Sequence, residues 1–169
     1  ALAARVGAAE IEYEESNLGS GKIAAAGQEF SGKTGKVASI PLAPLDALLP
    51  VIRREARGRR FVFAKVDVEG YEYRFFRGAE EFFRAARPLF VTMEVSPWSA
   101  ARTNCSVAGS LAAMKSKFGY ALNYVNRDGN PGAALPDDLD KFAEDMIPRK
   151  RIADICMTAT STTPSTAKI

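Results

Sequence analysis

Residues 61–95, FVFAKVDVEGYEYRFFRGAEEFFRAARPLFVTMEV, decide how the chain is read. Phe61 to Val68 is nearly continuous apolar sequence interrupted by Lys65 and Asp67, the pattern of a strand buried on both faces with its polar residues near the carboxyl end. Gly70 then breaks it. From Tyr71 to Arg87 the apolar positions Tyr71, Phe75, Phe76, Ala79, Phe82, Phe83 and Ala86 recur at helical spacing, while Glu72, Arg74, Arg77, Glu80, Glu81 and Arg84 fill the opposite face. Pro88 closes this predicted helix, and Leu89 to Val95 is a second apolar run with β-branched residues. The stretch is a strand, helix, strand unit. If the strands are parallel neighbours, Asp67, Glu69, Gly70 and Glu94 gather on the carboxyl edge of the sheet, where open α/β sheets bind ligands.

Outward from this unit the signals weaken. Upstream, Glu10 to Tyr13 alternates like a half-buried strand, Ser16 to Gly21 supplies loop residues, and Ile23 to Ala26 and Lys36 to Ile40 are further strand candidates. Pro44 opens a short helix with Leu45, Leu48 and Leu49 on one face, which Pro50 ends or bends. Downstream, Val107, Leu111, Met114 and Phe118 form a helical stripe stopped by Gly119, followed by a strand at Ala121 to Val125 and a turn at Asp128-Gly129. Asn130 to Pro148 is loop-rich, Ile152 to Ala159 reads as a last strand, and residues 161–169 as a polar tail. Alternating strands and helices predict one α/β domain over residues 1–160 with a mostly parallel sheet.

Composition removes several chemistries. The chain has no histidine, so Ser-His-Asp and Cys-His nucleophilic sites are impossible and the usual His-containing zinc sites are absent; no metal site is expected. Two cysteines, Cys105 and Cys156, are too few for a disulfide framework. A net charge of +3, with basic clusters confined to Arg53–Arg60 and Arg149–Arg151, is too small to draw nucleic acid by phosphate neutralisation, and no nucleic-acid partner is expected. No apolar run approaches the roughly 20 residues that cross a bilayer, so a soluble, by default cytoplasmic, chain is expected. The first residue, which is not Met, reads as a cut.

Two motifs carry chemistry. Gly27 to Thr34, GQEFSGKT, satisfies the phosphate-loop pattern, but such a loop needs a preceding strand and a helix beginning at its Lys-Thr pair. Gly35 and Pro41 leave that helix no room, and a surface loop is the better reading. In Lys65-Val66-Asp67-Val68-Glu69-Gly70, acids at a strand end precede a glycine; they can orient a hydroxyl or amine and accept its proton. The plainer alternative is that Lys65 pairs with Asp67 while Glu69 and Glu72 favour the first turn of the next helix.

KVDVEGYEYRFFRGAEEFF followed by RPLFVTMEV resembles the central signature of the FkbM-type methyltransferase family, which depends on S-adenosylmethionine. The segment IPLAPLDALL at Ile40–Leu49, the stretch from Ala1 through Gly7 and Glu10, and Gly119-Tyr120 are also similar to that family. The resemblance implies a Rossmann-like methyltransferase sheet, mostly parallel and truncated on its N-terminal side, since the family's glycine-rich cofactor loop and ribose-binding acid have no counterpart in this sequence. Gly19-Ser20-Gly21 is a poor substitute. It further implies methyl transfer to an oxygen of a small-molecule or glycan acceptor, with Asp67 and Glu69 nearest the reacting centre, Glu94 on the adjacent strand end, and Ala1 and Leu2 on the adenine side. Trp98 is a candidate for stacking on the acceptor. Without the glycine-rich loop, the isolated chain is expected to bind the cofactor weakly or not at all. Two other readings stand beside this one: a nucleotide-binding protein using Gly27 to Thr34, and a noncatalytic α/β interaction domain.

Overall fold

A computed structural model describes residues 3–14, 17–23, 35–68, 70–102 and 104–160. Its first strand, β1 (Gly7–Glu14), pairs antiparallel with both β2 (Asn17–Ile23) and β3 (Lys36–Leu42) in a three-stranded sheet of order β2-β1-β3. The loop expected at Ser16 to Gly21 is therefore largely strand, and its glycines sit inside β2 rather than at a turn. Pro41 lies in β3 opposite Ala8. A 3-10 turn (Leu45–Leu48) then follows Pro44 and passes directly into α1 (Leu49–Ala56), with Pro50 in the first helical turn, where its missing N–H costs nothing.

The second sheet among the described residues contains β4 (Phe63–Val66), β5 (Phe90–Val95), β6 (Tyr120–Val125), β7 (Pro131–Ala134) and β8 (Ala153–Ala159), in the order β4-β5-β8-β6-β7. This overturns the expectation of a mostly parallel, Rossmann-like sheet. The β4–β5 ladder is parallel, but β5–β8, β8–β6 and β6–β7 are all antiparallel. The cause is β8, the last strand in sequence, which inserts between β5 and β6 and runs against both.

Register separates the two faces of this sheet. Val66, Met93 and Ile155 lie side by side, as do Val91 and Met157, and all are buried. Removing each such side chain from water contributes about 1.5–3 kcal/mol. On the alternate positions stand Phe63, Lys65, Phe90, Thr92, Glu94 and Asp154. Phe63 is 56% exposed and Phe90 40%, so β4 is not buried on both faces as its composition suggested.

The buried face is covered by α2 (Glu72–Arg77), α3 (Glu80–Ala85) and α5 (Val107–Ser116). Phe83 centres this layer, with ring centroids 5.3 to 6.4 Å from Phe75, Phe76, Phe82, Phe118 and Tyr120. The single helix expected over Tyr71–Arg87 is broken at Gly78-Ala79. A side chain at Gly78 would run into the carbonyl of Ala3, and the Asp46 amide donates to the Gly78 carbonyl at 2.9 Å. Asp46 then caps the restarted helix: its carboxylate accepts from the amides of Phe82 at 2.8 Å and Glu81 at 3.0 Å. The stretch expected to be loop holds β7 and α6 (Leu139–Met146), the latter capped by Asp138, whose Oδ1 accepts from the Lys141 amide.

Candidate active site

The parallel register sets Val66 beside Met93, so the next residues along, Asp67 just past the end of β4 and Glu94 within β5, stand side by side near the carboxyl edge. The antiparallel strand β8 contributes its beginning to the same edge, with Asp154 directly opposite Glu94. Lys65 Nζ lies 3.0 Å from Asp67 Oδ2. The hydrogen bond to Asp67, and then that carboxylate's charge, raise the Lys65 pKa; Glu94 and Asp154 raise it further. The edge therefore carries one ammonium among three carboxylates. Both partners of the Lys65–Asp67 pair are in contact with water, so the pair contributes little to stability and leaves Asp67 accessible.

Behind this edge the loop after β4 is held by buried polar groups. Gly70 has φ +98°, and a Cβ there would meet Ser99 and the Ala100 amide at 2.9 Å, so the loop lies directly on α4 (Pro97–Arg102). Glu72 Oε1 accepts from the Gly70 amide at 3.0 Å. Glu72 is 2% exposed, although its charge suggested the solvent face. The amides of Ser99 and Ala100 donate to the Ser96 carbonyl, and Ser96 and Ser99 are themselves buried. The Tyr71 hydroxyl donates to the carbonyl of Ile23 at 3.1 Å, tying β2 to this loop, and burial pushes the Tyr71 phenol above its usual pKa.

Of the residues singled out in the sequence, Asp67 and Glu94 are thus brought to one edge, and Trp98 lies half-buried on α4. Glu69, Ala1 and Leu2 fall outside the described residues, as do Gly27 to Thr34 and the tail at 161–169. A strand, β3, begins at Lys36, where a phosphate loop would need a helix, and this counts against the nucleotide-binding reading. Sequence reasoning missed Asp154 and the buried role of Glu72. Among the described residues no group of three or more His, Cys, Asp or Glu side chains could hold a metal ion, and no helix is long and apolar enough to cross a membrane.

A nucleoside cofactor fits this edge incompletely. Asp67 offers an accessible carboxylate at a strand end, but no glycine-rich turn leads from a strand into a helix N-terminus among the described residues, and Gly19-Ser20-Gly21 is taken up in β2.

Residues 5–130 match the family model described as the methyltransferase FkbM domain. No curated protein and no solved structure matches.

Proposed function

Because the chain belongs to the FkbM methyltransferase family, we propose that it serves the transfer of a methyl group from S-adenosylmethionine to a hydroxyl of a small-molecule or glycan acceptor. The observation that carries this reading is the parallel β4–β5 register, which supports Asp67 and Glu94 facing one bound acceptor from adjacent strand ends. Asp67 has one oxygen on Lys65 and a side chain 37% exposed; in this reading it orients the acceptor hydroxyl and takes its proton as the oxygen becomes a nucleophile. Glu69, two residues further along the sequence, assists in this reading, and Glu94 lines the neighbouring strand end. Lys65 keeps Asp67 in place. Holding the acceptor in one orientation supplies much of the rate, since it removes the entropic cost of a bimolecular encounter. Ala1 and Leu2 belong to the cofactor side.

The test is turnover by the full-length protein, read as S-adenosylhomocysteine released in the presence of hydroxylated acceptors. Asp67→Asn with Glu69→Gln should lower it about 10²- to 10⁴-fold, the usual contribution of a positioned base. Unchanged turnover in the double variant would defeat the assignment.

A further inference from the structure

A cavity of about 610 Å³ opens at the same end of the sheet as Asp67 and Glu94 but on the opposite, helix-covered face, between the end of β6, the start of β8 and α6. Its size is that of an ordinary small-ligand site. Ala153, in its lining, is the register partner of Val95 and so faces away from the adjacent Glu94–Asp154 pair. Tyr124, Phe142, Met146 and Ile152 give it an apolar wall, in which the Tyr124 and Phe142 rings meet edge to face at 6.0 Å. Ile152 is 55% exposed, a large apolar side chain left facing solvent.

Two cations stand in this wall, Lys141 and Arg151, and neither is in an ion pair among the described residues. Two carboxylates also line it, but they are not equivalent. Asp138 spends an oxygen on the Lys141 amide at the N-terminus of α6, where the helix dipole offsets its charge. The lining therefore holds two cations and two carboxylates, of which Asp138 is held by the backbone and neither is ion-paired to Lys141 or Arg151 among the described residues. Arg151 comes from the basic run Arg149-Lys150-Arg151, which the proposed chemistry does not use. Lys150 is held at φ +46°, and the Arg151 amide donates to the Met146 carbonyl, which anchors Arg151 beside α6.

We propose that this cavity binds a ring-sized ligand carrying a single anionic group, carboxylate or phosphate, with the ring on Tyr124, Phe142 and Ile152 and the anion on Arg151 and Lys141. That the ligand is the methyl acceptor rests on the methyl-transfer reading; the binding does not. Arg151 is the stronger anchor, because its planar fork can hold two oxygens of either anion at once.

The experiment is a titration of the isotope-labelled 169-residue chain, followed by amide chemical shifts, with 4-hydroxybenzoate, phenyl phosphate and the neutral 4-hydroxybenzyl alcohol. No cofactor is added. Saturable shifts should centre on Phe142, Met146 and Ile152, with at least one anionic probe about ten- to a hundredfold tighter than the neutral one, the range for hydrogen bonds to a charged group. The tighter anion identifies the group. Arg151→Gln and Lys141→Gln, both at exposed positions, should remove that preference while leaving the neutral probe unchanged. Absence of saturable shifts at these amides, equal affinity for charged and neutral probes, or an unaltered preference in both variants would overturn the proposal. Binding here with no methyl transfer by the full-length protein would sustain the site and remove the acceptor assignment. Transfer to acceptors that leave this cavity silent would sustain the methyl-transfer reading and remove this cavity as the acceptor's site.

Discussion

Replacing Gly70 by Ala tests the way the loop carrying the candidate base is seated. Two costs add at this position. The first is conformational: φ +98° lies where L-residues are rarely found, and holding one there costs about 1–3 kcal/mol. The second is steric, since the new methyl would stand 2.9 Å from the Ala100 amide nitrogen, the Ser99 carbonyl carbon and Ser99 Oγ. Two of these atoms are backbone of α4 and cannot swing aside, so relieving the overlap costs a further ~1–3 kcal/mol. The sum, about 2–6 kcal/mol, lowers Tm by roughly 5–20 °C for a chain of this size. Gly129→Ala is the matched control, because Gly129 has φ +81° but nothing within 4 Å of the added methyl, and it should show the conformational cost alone. Circular dichroism melts of the two variants separate the contributions. Equal losses would refute the claim that the loop after β4 packs directly against α4, and with it the structural basis for a fixed Asp67.

Asp46→Ala removes the acceptor for two amides at the start of α3 and should cost about 0.5–2 kcal/mol, read as a lower urea midpoint; Asp46→Asn should recover part of it. The Tyr120 hydroxyl donates to the Pro88 carbonyl at 2.7 Å inside the core, so Tyr120→Phe should lose about 1 kcal/mol near neutral pH. Burial also pushes the Tyr120 pKa up to about 12. The unfolded chain releases this proton first, near pH 10, so stability is full below pH 10 and falls as the pH climbs from there toward 12. Urea midpoints at neutral and alkaline pH should fall less steeply in Tyr120→Phe, and an identical alkaline fall would reject the assignment.

The strand, helix, strand unit was legible because it is local. Two apolar runs, a helical stripe and the breakers Gly70 and Pro88 all lie within reach of pattern reasoning, and β4 and β5 are indeed parallel neighbours. The helix break was not, since what divides it is the backbone of Ala3 and the side chain of Asp46, both distant in sequence. Two misses did have a signal. Glu72 precedes Phe75 and Phe76 by three and four residues, so it shares their buried face; its charge had outweighed its position. Likewise Leu139, Phe142, Ala143 and Met146, following Asp138, have the spacing and cap of a helix, hidden by the surrounding Pro136 and Pro148.

Sheet order was illegible for a deeper reason, and the same fact shapes the candidate site. A strand's composition records that it is buried, not where it inserts or which way it runs: Ile155 and Met157 would serve a parallel position as well as the antiparallel one they occupy. Yet direction decides which end of β8 reaches the functional edge. Running parallel, it would have delivered Thr158 and Ala159 beside Glu94. Running antiparallel, it delivers its start, which places Asp154 opposite Glu94 and leads Arg151 and Ile152 into the cavity under α6. The departure from a parallel sheet is therefore what sets the carboxylates and the apolar cavity at one end of the sheet, on its two opposite faces.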